Sequence, residues 1–225
     1  MIDSAVAGRL PPMARLPDLP VFPLPLVLLP GELLPLHIFE PRYRELVARC
    51  LAGPEPFCVV LEDEAGVRKT GCLARDLTVL ERLADGRLNI VVSGGEPVGL
   101  GPIDDEAHSY LSAEARVLED DDEPLAEDEI DAALAAYRSL LSEIGREDSE
   151  PLSAQPRLSY ALGARIDVGL QVGQALLESR SESARLVLIT EALEQGRHSL
   201  RIAAERERRA VRNGKVEPSA EGAPE

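Results

Sequence analysis

Aromatic rings are scarce in this 225-residue sequence, which has three phenylalanines, four tyrosines and no tryptophan. Proteins that bind single-stranded nucleic acid stack the bases on aromatic side chains set in a basic surface. The net charge here is −16, so a basic surface is also missing from the overall composition. Both features argue against nucleic acid as a partner.

Lysine is scarcer still, since the sequence has only Lys69 and Lys215. The phosphate-binding loop of an ATPase needs a lysine in the pattern G-x-x-x-x-G-K-[ST], and neither residue has that context. A Ser–Lys protease pair needs a buried lysine, and no suitable lysine is present. The histidines lack the spacing of metal ligands; they are His37, His108 and His198. We therefore predict no catalytic residue, no metal and no cofactor, and hence no enzyme.

Cysteine occurs three times, as Cys50, Cys58 and Cys72, without a C-x-x-C pair. An odd number of unclustered thiols is typical of a reducing compartment, in which cysteine serves as a small core residue. The first 19 residues contain Asp3 and no continuous apolar stretch, which does not fit a signal peptide. We therefore expect a cytoplasmic protein.

Long apolar runs are present but interrupted. The run from Val21 to Phe39 contains four prolines, which exclude a membrane-spanning helix. We expect instead an irregular or edge strand with a turn near Pro30-Gly31, and no membrane contact.

The acidic residues are concentrated in one region. Residues 101–150 hold 17 of them against three arginines, a net charge of −14. We interpret this excess as a solvated linker and helix face; the alternative is a surface that attracts a basic partner.

Periodicity changes from strand-like to helical along the chain. Asp85-Gly86 between apolar runs predicts a hairpin with a type I′ turn. Glu40-Pro41 and Gly53-Pro54 predict the start and the end of a short helix. Ser181 is a candidate N-cap for the last helix. The predicted division is a loose tail at 1–18, a β domain at 19–118, an acidic linker at 119–129, a helical bundle at 130–205 and a disordered tail at 206–225.

Three stretches resemble the N-terminal substrate-binding domain of Lon proteases. Residues 19–44, which include the segment HIFEPRYR, are similar to the opening signature of that family. Residues 71–75 (GCLAR) with 85–90 (DGRLNI) resemble its second hairpin, and residues 110–114 (YLSAE) its closing strand. At Gly94–Leu100 the sequence departs from the family pattern G-x-x-R-F-x-I, because the basic and aromatic positions are absent.

The resemblance implies an α+β fold, namely an N-terminal PUA-like β pseudobarrel with a short helix, followed by a C-terminal helical bundle. It implies a free-standing, non-catalytic module that recognises unfolded or extended polypeptides, with a protease or chaperone as a further partner. The alternative is a PUA-like RNA-binding protein, which the lack of a concentrated Arg/Lys stripe in the β half opposes.

The candidate peptide site lies at the end of the proline-rich run. Its residues would form an apolar shelf with one cationic group: Pro35, His37, Phe39, Arg42 and Tyr43. The structural alternative is that these side chains only hold the first helix against the barrel, since Tyr43 is in phase with Leu46 and Val47.

Overall fold

Six strands and one helix form the N-terminal half of the computed structural model, which describes residues 14–53, 55–148 and 152–214. In chain order these elements are β1 (Arg15–Leu24), β2 (Leu33–Ile38), α1 (Pro41–Ala52), β3 (Phe57–Asp63), β4 (Gly66–Arg82), β5 (Leu88–Asp104) and β6 (Leu111–Val117). Helix α1 begins and ends where proline and glycine predict, at Pro41 and before Gly53.

The sheet closes on itself. Its strand order is β2-β5-β4-β3-β1-β6, and a further pairing of β5 with β6 joins five strands into a ring. Strands β1 and β3 are parallel, whereas the other pairings are antiparallel. Strand β2 lies outside the ring, paired with the first half of β5. It is therefore an edge strand, as the prolines predict.

The two faces of the ring enclose different cores. Because successive side chains of a strand point to opposite faces, β3 places Cys58 and Val60 in the lumen and Phe57 and Val59 in the core outside it. The lumen core is apolar and consists of Leu19, Val21, Cys58, Val60, Leu73, Val98, Leu100, Ala113, Ala115 and Val117. The outer core continues into the helices.

Four helices form the C-terminal half: α2 (Glu127–Glu143), α3 (Leu158–Gly163), α4 (Leu170–Glu178) and α5 (Glu182–Gly214). The buried stripe of α2 packs with that of α5, and both belong to the outer core. Ser181 caps α5, since its Oγ accepts a hydrogen bond from the Ala184 N–H at 3.1 Å.

The loop between β1 and β2 joins the two halves. A Cβ on Gly163 would lie 2.7 Å from Leu29, and a Cβ on Gly173 would contact Val27. The Gln174 side chain of α4 donates a hydrogen bond to the Thr70 carbonyl of β4 at 3.1 Å. The outer core is thus shared between strands and helices.

The segment that departs from the family pattern has structural roles. Gly94 lies against the backbone of Leu29, where a Cβ would overlap the carbonyl oxygen. Glu96 is buried and pairs with Arg75 at 3.1 Å. Glycine is required at Gly94 because of this close backbone approach.

Several sequence expectations need correction. The hairpin at Asp85-Gly86 exists, but only Gly86 has a positive φ (+85°), so the turn is not type I′. The Leu83 N–H donates to the Arg87 carbonyl, which leaves a three-residue loop with glycine in the left-handed position. The acidic segment is not simply solvated, because Asp120 pairs with Arg157 and Arg185.

The chain ends also differ from the expected tails. Strand β1 begins at Arg15, within the predicted tail 1–18, because its first residues pair with β6. Helix α5 continues to Gly214, past the predicted start of disorder at 206, since residues 206–213 contain no proline or glycine. Residues 1–13 and 215–225 lie outside the described residues, and the division into domains stays a prediction.

Candidate functional site

The outward face of β2 exposes large apolar side chains. Leu33, Pro35 and His37 alternate on this face, and Phe39 follows directly after the strand. Leu33 is 69% exposed and Phe39 is 59% exposed. We call these four residues the β2 shelf. Leu80 of β4, opposite the same stretch of β5, is 62% exposed, so apolar surface is concentrated in this part of the sheet.

The outer edge of β2 has no strand partner among the described residues. The Gly94 N–H donates to the Glu32 carbonyl at 2.8 Å, so this carbonyl faces β5. Backbone groups of successive strand residues alternate in direction, so those of Leu34 and Leu36 also face β5. The backbone groups of the three alternating residues face outward: Leu33, Pro35 and His37. Pro35 therefore sits where its missing N–H breaks no bond within the sheet. The free edge offers two N–H and three carbonyl groups.

His37 is held by a polar row across three strands. Its Nδ1 lies 2.7 Å from Asn89 Oδ1, and Asn89 Nδ2 donates to Glu81 Oε2 at 2.7 Å. The Glu81 carboxylate only accepts, which fixes the orientation of the Asn89 amide and places the proton of neutral His37 on Nδ1. The imidazole stacks on the Phe39 ring with centroids 6.0 Å apart. The row thus holds the imidazole of His37 in place within the β2 shelf.

The five candidate residues from the sequence do not form one surface. Pro35, His37 and Phe39 lie on the β2 shelf, whereas Tyr43 is buried against Phe22 with centroids 4.0 Å apart. Arg42 is exposed, stacks over the Tyr43 ring at 4.5 Å and pairs with Glu40 at 2.9 Å. Tyr43 is thus buried on the same face of α1 as Leu46 and Val47.

Sequence reasoning missed Leu33 and Leu80. The signal for Leu33 is its two-residue spacing from Pro35 and His37, which in a strand places all three on one face. Leu80 lies at a β-bulge of β4, between Val79 and Glu81, and no sequence signal indicates its exposure.

A groove of about 530 Å³ opens near the start of β2. Its walls are the β1–β2 loop, including Leu26 and Val27, and residues 163–173 of the α3–α4 segment. Two carboxylates line it, Glu32 and Asp167. The groove is therefore apolar on its sides and acidic at two points.

The acidic groups of the groove are only partly compensated. Glu32 Oε2 accepts a hydrogen bond from the Leu29 N–H at 2.9 Å. Burial raises the pKa of Glu32, the Leu29 hydrogen bond lowers it, and the charge of Asp167 raises it further; the net direction is upward. Arg165 also lines the groove, but Asp148 pairs with it at 2.9 Å. The local field favours a cation.

A comparison with protein-family models decides what kind of domain this is. Residues 18–195 match the model of the ATP-dependent protease La (LON) substrate-binding domain. The chain belongs to the Lon substrate-binding domain family. The match covers the closed sheet, the β2 shelf, the groove and the start of α5, so both candidate surfaces lie within the Lon domain.

Solved structures confirm the Lon fold. The chain is similar to a Lon N-terminal domain protein from Xanthomonas campestris, with a TM-score of 0.56 and 24% identity over 76% of this chain and 95% of that one. It is also similar to the N-terminal domain of the Mycobacterium avium complex Lon protease, with a TM-score of 0.61 and 16% identity over 79% of this chain and 98% of that one. No curated protein matches the sequence.

Metal binding, membrane insertion and thiol chemistry each require particular side chains or helices. Within residues 14–53, 55–148 and 152–214, no three His, Cys, Asp or Glu side chains are arranged to hold a metal ion. No helix in the same ranges is long and apolar enough to cross a membrane. All three cysteines are free and buried, and burial raises the pKa of the Cys50 thiol to about 11. Their burial agrees with the predicted core role.

Proposed function

We propose that this chain is a non-catalytic module that binds extended, apolar segments of unfolded polypeptides along the β2 shelf and the free edge of β2. The observation that supports this most directly is the outer edge of β2 beside Leu33 and Phe39, which pairs with no other strand in the described part of the chain. Main-chain hydrogen bonds to a free edge give affinity, and apolar side chains beside it select the sequence. Membership of the Lon substrate-binding family supports the same class of ligand.

Strand addition here is weak and reversible. Pro35 removes one donor from the edge, so a bound strand forms fewer main-chain hydrogen bonds than a regular edge provides. Weak binding suits a module that must release diverse substrates to a protease or chaperone. The buried free thiols agree with a reducing, cytoplasmic setting.

The shelf is tested with a fluorescent apolar peptide that has no stable fold. The double variant Leu33→Ser, Phe39→Ser is expected to weaken binding about tenfold, since two large apolar contacts are lost. Val187→Ser is the control, because Val187 is 49% exposed on α5 and lies beside residues of α2, not among the shelf residues. Equal affinity of the double variant and the wild type would rule the shelf out.

Strand addition is tested separately with the peptide backbone. N-methylation of alternate residues removes donors on one edge of the bound strand, so one phase of methylation should abolish binding and the other should preserve it. Equal effects of the two phases would exclude strand pairing. Salt-sensitive binding of structured RNA by the same protein, without peptide binding, would favour the RNA-binding alternative.

A further inference from the structure

The groove and the β2 shelf lie on opposite faces of the same strand edge. Glu32 precedes β2, and its carbonyl accepts a hydrogen bond from the Gly94 N–H. Its side chain therefore lies on the same face as those of Leu34 and Leu36, which pack on the outer core. The shelf residues occupy the other face. A strand added to β2 would therefore place alternate side chains on the shelf and on the groove side.

We propose that the groove receives a lysine or arginine side chain of the polypeptide bound along β2, so that the preferred segment is apolar with a basic residue at one end. This inference rests on the proposed function and adds a substrate class to it. Directly opposite residues of paired strands have Cβ atoms about 5 Å apart. A side chain opposite Glu32 would thus lie beside its carboxylate.

The charge of the groove selects the basic residue. Glu32 is half-buried, and its Oε2 accepts the Leu29 N–H, while Asp167 Oδ1 accepts the Gly169 N–H at 3.0 Å. Each carboxylate keeps its second oxygen without a described hydrogen-bond partner. Partly desolvated carboxylates are stabilised by a nearby cation, and Arg165 is already engaged by Asp148.

The walls suit the aliphatic part of the same side chain. Lysine and arginine bury their methylene stems along apolar surface while the charged group reaches polar atoms. Leu26, Val27 and Leu170 supply such surface, and the volume of about 530 Å³ is within the range of roughly 300–1,000 Å³ for ligand sites. A neutral polar residue would lack the charge that the two carboxylates favour.

The test uses pairs of fluorescent apolar peptides that differ at one terminal residue, which is lysine in one peptide and norleucine in the other. One pair differs at the N-terminal residue and a second pair at the C-terminal residue. The wild type is expected to bind one lysine peptide about fivefold more tightly than its norleucine partner, and to lose this preference at high salt. Glu32→Gln and Asp167→Asn should each reduce the preference for lysine, because each removes one negative charge from the groove. Both amides can still accept the local backbone hydrogen bond, so the structure of the groove should be kept. Glu191→Gln changes the net charge equally but lies on α5 outside the groove, and should leave the preference intact.

The outcomes separate the two proposals. If both peptides bind equally at both ends, the groove does not read a basic residue, while the polypeptide-binding function stands. If neither peptide binds, the proposed function fails. If the wild type self-associates and Glu32→Gln abolishes this without changing peptide selectivity, a second copy of the chain occupies the groove and the inference is overturned.

Discussion

The lumen of the barrel and the start of α5 are both buried, yet they are stabilised in opposite ways. The lumen core consists of ten apolar side chains. The start of α5 is built around Arg185, whose side chain has no solvent exposure. Its guanidinium pairs with Asp120 at 2.7 Å and with Glu182 at 2.6 Å, and lies 4.5 Å from the centre of the Tyr160 ring.

The lumen core and the Arg185 ion network should differ in how well they tolerate amino-acid substitutions. Apolar packing adapts to substitutions that conserve volume, whereas a buried ion network depends on every partner, because removing one leaves an uncompensated charge. Burial raises the pKa of Asp120, but its hydrogen bond and charge contacts with Arg185 and Arg157 outweigh this and hold the pKa below the ordinary value. The helical half is therefore the region in which a single polar substitution should be most damaging.

The largest effect is expected for Arg185→Met. Methionine fills much of the volume but leaves Asp120 and Glu182 without their shared partner, which should lower the free energy of unfolding by about 3–5 kcal/mol. Urea denaturation followed by circular dichroism measures the loss. The control is Arg197→Ala, whose ion pair with Glu194 is 3.8 Å long and on the surface, and which should change stability little. A similar midpoint for both variants would contradict the network's importance.

Two glycines sharpen the comparison, since replacement by alanine should change the free energy of unfolding in opposite directions in the two halves. Gly94→Ala forces a Cβ onto the Leu29 carbonyl and should destabilise by about 1–3 kcal/mol. Gly196→Ala lies on α5 with no neighbour within 4 Å, and should stabilise by up to about 1 kcal/mol through helix propensity. Thermal unfolding of both variants tests the signs; destabilisation by Gly196→Ala would show that its surroundings are more crowded than the structure indicates.

Local chemistry made parts of this fold predictable from sequence. Pro41 and Gly53 bound α1, Ser181 caps α5, and Gly31 has a positive φ at the turn predicted there. Each depends on a conformational or hydrogen-bonding property of one residue and its immediate neighbours.

Contacts between distant residues could not be predicted in the same way. Asp120 and Arg185 are 65 positions apart, and Glu32 and Asp167 line the groove from opposite halves of the chain. Nothing in the local pattern of the acidic segment distinguishes Asp120 from its solvated neighbours. The sequence therefore indicated Pro35, His37 and Phe39 of the β2 shelf, but neither Leu33 nor the groove between the two halves.

The smallest expected effect is that of Glu32→Gln on stability, and its pH dependence should be opposite to that of Asp120→Asn. Glu32 has a raised pKa, so its contribution to stability is present below its ordinary value of 4.5 and is lost as pH rises through the folded value. Glu32→Gln should therefore stabilise the protein by less than about 1 kcal/mol at neutral pH, with no gain in acid. Asp120 has a lowered pKa, so Asp120→Asn should destabilise at neutral pH and lose its effect as pH falls through the folded pKa. Urea midpoints of both variants between acid and neutral pH test this; parallel curves would show that the groove carboxylate is as well compensated as the one beside Arg185.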